Sequence, residues 1–125
     1  MTMTSGVERS GWAELTNRLS ADHAGHAGHD VTIEVVDAEG GDNPVVVHLP
    51  FHGITYDHQD DVLVISVGGR PPHHPVVLRH LVHSPQEVLF DLIPRGAALK
   101  ITDAAGATTL VSLLRSPEGQ GGRGS

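Results

Sequence analysis

Cysteine is absent from the chain. That excludes disulfides, thiolate nucleophiles, iron–sulfur clusters and cysteine-based zinc sites. Aromatic residues are scarce as well: Trp12, Phe51, Tyr56 and Phe90 make up 3% of the sequence. A core must therefore come from Val, Leu and Ile, and β-branched side chains pack best in strands. Basic residues are few, 8 Lys and Arg against 15 Asp and Glu, for a formal net charge of −7. So acidic a chain, with no basic cluster, lacks the means to neutralise phosphates, which argues against nucleic acid. The same shortage argues against an anionic membrane surface. No window approaches the ~20 apolar residues of a spanning helix. Residues 1–9 contain no apolar run, so no secretory signal is expected, and the reading is a soluble, cytoplasmic, bacterial protein.

Histidine, by contrast, is abundant. Protonating all ten would carry the formal net charge from −7 to +3. Since imidazole titrates near pH ~6.5, the field of the molecule should change sign in mild acid. That bears on solubility and association rather than on one activity.

The length of 125 residues sets one domain as the expectation. We expect residues 1–9 to be flexible, 10–115 to form a single β-rich domain, and the Gly-rich 116–125 to be a flexible tail. Ser5-Gly6-Val7-Glu8 fits a capping box, which would start a helix early. The stronger helix signal is the apolar stripe Trp12, Leu15 and Leu19, which places a helix at about 10–21. Glu14 and Arg18 support it at i, i+4. Trp12 is expected to be a packing anchor.

Strand patterns fill the remainder. Val31, Ile33 and Val35 alternate with Thr32 and Glu34, with the apolar set facing inward. A second strand follows at 45–49, with Val45, Val47 and Leu49 on one face and Pro50 limiting its extent. A hairpin comes next, 53–56 and 62–67 around a polar loop at 57–61. Residues 62–67 are apolar on both faces, Val62 and Val64 on one, Leu63, Ile65 and Val67 on the other. Such a strand is covered on both sides, and we expect it to be central. Further strands are expected at 76–82, 87–92, 97–102 and 107–114, the last two joined by the turn Asp103-Ala104-Ala105-Gly106. The resulting fold class is mainly β (α+β): an antiparallel sandwich or small barrel of about eight short strands with one N-terminal helix.

Several residue groups deserve a chemical reading. His23, His26 and His29 form His-x-x-His-x-x-His, and imidazole is a good ligand for zinc, nickel and copper. On one helix, residues six apart stand ~9 Å apart along the axis, too far for one ion. A Gly-containing loop could wrap the metal instead, with Asp22 or Asp30 adding a carboxylate. The plainer reading is a solvated His-rich loop. His73 and His74 lie in a Pro-rich loop. His80 and His83 occupy opposite faces of one strand and do not chelate together. Asp57, Asp60 and Asp61 lack the ligand alternation, central Gly and terminal Glu of an EF-hand, and read as turn formers. With His52 or His58 they offer carboxylates for acid–base work. Ser84 beside His83 is not a nucleophile–base pair, because adjacent side chains of an extended segment point apart. Gly68-Gly69-Arg70 precedes prolines rather than a helix and makes a poor phosphate cradle.

The pieces Gly11-Trp12-Ala13-Glu14-Leu15, Val31-Thr32-Ile33-Glu34-Val35, Gly53-Ile54-Thr55-Tyr56-Asp57 and Asp61-Val62-Leu63-Val64-Ile65 have a familiar look. So do His80-Leu81-Val82-His83-Ser84-Pro85-Gln86-Glu87-Val88 and Ile101-Thr102-Asp103-Ala104-Ala105-Gly106. Together they make the chain resemble the domain of unknown function 5335 family of small bacterial proteins, over about residues 10–116. The resemblance implies a stand-alone domain and carries no activity.

From the sequence we therefore expect a non-catalytic binding or interaction module with no cofactor and no assigned site. The doubly apolar strands 62–67 and 76–82 point to self-association, because one short helix does not cover both faces. The alternatives are a metal-binding or metal-responsive protein using His23, His26 and His29, and a small acid–base enzyme using the Asp and His residues around 57–61.

Overall fold

A computed structural model describes residues 5–24, 28–68 and 76–115. His26, His73, His74, Gly69, Arg70 and the tail at 116–125 lie outside the described residues. The strands are β1 (Ser5–Val7), β2 (His29–Val36), β3 (Asp42–Asp57), β4 (Val62–Gly68), β5 (Val76–His83), β6 (Pro85–Ile93), β7 (Gly96–Asp103) and β8 (Thr108–Arg115). A single 3₁₀ turn, Arg9–Gly11, leads into the helix α1, Trp12–His23. All strand pairings are antiparallel, in the order β1-β6-β7-β8-β2-β3-β4-β5. The fold is mainly β with one N-terminal helix. Among the described residues it is a single eight-stranded sheet that does not close into a barrel, with β1 and β5 as its two edges.

The sheet curls around one core. Val31, Ile33, Val46, Phe51, Ile54, Leu63, Ile65, Val67, Val82, Val88, Leu99, Ile101, Val111 and Leu113 are all buried in it, with Trp12 and Leu19 of α1. The expected stripe of the helix is thus the face that docks. Its main neighbour is β3. Ser20 joins the two, its hydroxyl donating to the Ile54 carbonyl oxygen at 2.8 Å and accepting the Ile54 N–H at 2.9 Å. The ladder between β3 and β4 shifts register between Phe51 and Gly53. Ser20 therefore satisfies backbone groups beside a bulge. The void among Trp12, Leu15, Leu63, Val88, Leu99 and Ile101 is only about 10 Å³. That is about the volume of one water-sized probe, so the interior is filled by side chains.

Four sequence expectations change. Ser5–Val7 is a strand paired with β6, neither frayed nor a helix cap. Val46 is buried, while Val45 and Val47 are 39% and 56% exposed. The register of β2 on β3 jumps between Ile33 and Glu34, and His48 sits at φ 51°, so simple alternation fails there. Pro50 does not end its strand: β3 runs through it and exchanges β2 for β4 as partner just beyond, at Phe51. The missing N–H of proline falls where one ladder stops and the other begins. Finally, β4 stands next to an edge, and the middle of the sheet is β8 and β2. Its apolarity reflects the burial of Leu63, Ile65 and Val67 on the inner face rather than a central position.

Candidate functional site

The hairpin turn at 57–61 behaves as turn chemistry dictates. Asp57 Oδ1 accepts the N–H groups of Gln59 and Asp60 at 3.0 and 3.3 Å, an Asx turn. Asp61 takes a different part. It accepts a 2.6 Å hydrogen bond from the Tyr56 hydroxyl and a 2.8 Å bond from Arg9 Nη1. Arg9 Nη1 also donates to Tyr56 at 3.2 Å, and Nη2 to the Pro85 carbonyl at 3.1 Å. The guanidinium lies 4.6 Å from the Trp12 ring centre, within cation–π range. Trp12 meets Tyr56 edge-on, with ring centroids 5.2 Å apart. One arginine thus ties together the 3₁₀ turn, the β3–β4 hairpin and the start of β6.

An open cleft of about 630 Å³ lies above this cluster, lined by Arg9, Ser10, Ala13, Tyr56, His58 and Asp61. Of the Asp and His residues offered by the sequence for acid–base work, Asp61 and His58 share the cleft. His52 is elsewhere, against Gly68, where an added Cβ would meet its imidazole. The Tyr56 hydroxyl, and then Arg9, hold the Asp61 carboxyl below its ordinary value. The bond to Asp61, helped by burial, pushes the Tyr56 hydroxyl up. General acid–base catalysis needs a group poised near the working pH, and neither is moved toward it.

The second cluster lies at the other end of α1. His23 is its last residue and His29 the first of β2, and both are buried. His23 Nδ1 and His29 Nε2 are 3.2 Å apart, with the rings nearly perpendicular. Burial lowers the His23 pKa; Asp22 opposes that shift and Arg115 adds to it. A cleft of about 320 Å³ opens here between Asp22, Arg95 and Arg115. Two of the three spaced histidines therefore meet, and His26 lies outside the described residues. Among the described residues, no group of three or more His, Asp or Glu is arranged to hold an ion.

The third feature is the open edge of the sheet. Among the described residues, β5 pairs only with β4. Leu78 and Leu81 on it are 37% and 46% exposed. Across the outer face Thr55, Val64 and Leu81 stand in register, and Val64 is half-buried. This is the second apolar face that α1 does not reach. His80 points the other way, beside Ile65, and burial lowers its pKa. His83 is exposed, so these two histidines remain apart as expected. Ser84 forms the corner between β5 and β6 at φ 54°, its N–H bonded to the Asp61 carbonyl and its carbonyl accepting from Ala104. It is a corner residue and not a nucleophile.

Sequence reasoning missed Arg9. Its partners Tyr56 and Asp61 lie 47 and 52 residues away, and no local pattern links them.

Comparison with known proteins bears on the family. An uncharacterised protein of Aquifex aeolicus (strain VF5) is 32% identical over 88 residues, 70% of either chain. No solved structure matches. No helix among the described residues is long and apolar enough to cross a membrane. The model of a family of unknown function, DUF5335, matches residues 3–120, and the chain belongs to that family.

Proposed function

We propose that this protein is a non-catalytic interaction module that pairs with a second copy of itself along β5. The carrying observation is the free edge: eight residues, Val76–His83, with two exposed leucines. Natural sheets blunt such edges with proline, lysine, bulges or very short strands. β1, at the other edge, is blunted by its length of 3 residues. β5 contains neither proline nor lysine; its one register shift lies at its start, between Val76 and Leu78, and leaves the run from Leu78 to His83, with Arg79 in it, regular. An antiparallel pairing with His80 opposite its own copy sets Leu78 against Val82 and Arg79 beside Leu81, so two arginines never face each other. Such strand addition satisfies the open backbone groups and covers Leu78 on the inner face and Leu81 on the outer face, one on each side of the extended sheet. The filled interior beneath Trp12 leaves no enclosed space for a substrate there.

The test is light scattering over a concentration series. The unaltered chain should pass from monomer to dimer, and Leu81→Arg should remain monomeric with its fold intact. A strict monomer at high concentration would remove the proposal. The cytoplasm is the compartment we assign. Cell fractionation that recovers the protein outside the cytoplasm would refute that assignment.

A further inference from the structure

We infer that His23 and His29 form a binding site for a divalent transition metal of the zinc or nickel class. The first ground is distance. Two imidazole nitrogens bound at about 2.0–2.1 Å to one tetrahedral zinc stand about 3.4 Å apart. Nδ1 of His23 and Nε2 of His29 are 3.2 Å apart, so both reach one ion with a small adjustment. The second ground is position. The pair forms the floor of a cleft of about 320 Å³, which leaves room for the ion and for water to complete its coordination. The third is that the two ligands come from two elements, the last turn of α1 and the first residue of β2. The scaffold itself brings them together, so little entropy is lost in assembling them.

The cleft also holds Arg95 and Arg115, which raises the rival of an oxyanion site. The observations favour the metal. Arg95 Nη2 is engaged with the Arg115 carbonyl oxygen at 2.7 Å. Two ring nitrogens facing each other at 3.2 Å are spaced for one shared ion. The C-terminal end of α1 and the nearby Asp22 carboxylate offset part of the positive charge of the two arginines.

The experiment is a calorimetric titration of the chelator-treated full chain with zinc and, separately, with nickel. One ion per chain is expected. His23→Ala and His29→Ala should each weaken binding at least tenfold, the lower end of what even outer partners of metal ligands contribute. His48→Ala and His58→Ala, both at exposed positions, should leave it unchanged. Imidazole NMR signals of the unaltered protein give a second readout that needs no variant: those of His23 and His29 should move first as zinc is added. Binding that survives both substitutions, or signals that move first elsewhere, overturns the site. Saturable binding of inorganic phosphate with none of either metal overturns it in favour of the anion.

Discussion

Trp12 shows how one side chain is used three times. Its ring is 2% exposed in the core, its edge meets Tyr56, and its Nε1–H donates to the Val7 carbonyl at 2.8 Å. Trp12→Phe keeps most of the ring and deletes the donor, so the Val7 carbonyl loses its partner at a half-buried place. We expect a loss of about 1–3 kcal/mol in denaturant unfolding. Trp12→Ala should cost more, about 3–5 kcal/mol. A second residue-scale outcome concerns acid. Burial lowers the His80 pKa below that of an exposed imidazole. Between the folded and unfolded values the unfolded chain binds more protons. The contribution of His80 is therefore fully present above pH ~6.5 and is lost as pH falls through the folded value. Dilute, chelator-treated protein should show a lower unfolding midpoint at pH 5.5 than at pH 7.5, and His80→Leu should shrink the difference. An equal drop in the variant would show that His80 is not responsible. The role of Trp12 was legible from its place in the apolar stripe. The Arg9 cluster was not, because it is assembled by tertiary contact alone.

At the scale of elements, corners and close approaches dominate. Ser84 turns β5 into β6 in the left-handed region, where a non-Gly residue costs about 1–2 kcal/mol. Ser84→Gly should be tolerated, and Ser84→Val should lower stability, because a β-branched side chain fits that region worst. Thermal unfolding of the two variants would read the difference, and a harmless valine would contradict the corner geometry. Gly96 answers a different demand. A Cβ there would run into the Leu113 carbonyl oxygen on β8. The β3–β4 and β7–β8 hairpins were legible because turn aspartates and glycine sit between alternating runs; Asp103 Oδ1 accepts the Ala105 and Ala107 N–H groups as such a turn requires. β3 was not legible as one strand. Three consecutive valines at 45–47 give no parity, and a proline reads as a stop unless the exchange of ladders is known.

For the whole molecule, the composition pointed to the class: few aromatics, many β-branched residues, regular turns, one amphipathic helix. Strand order was beyond it. Nothing local makes β8 the neighbour of β2, 72 residues or more away in the chain, and that pairing sets which strands become edges. β1 gives almost no signal in 3 residues. The consequence of the order is that an apolar strand, β5, is left at an open edge, and the proposed pairing follows from that placement rather than from the hairpin turn. Amide hydrogen exchange at rising protein concentration tests it most directly. The outward-facing amides of β5, residues 76–83, should become progressively protected, while those of β1 stay unchanged. Exchange along β5 that is rapid and independent of concentration would contradict the account.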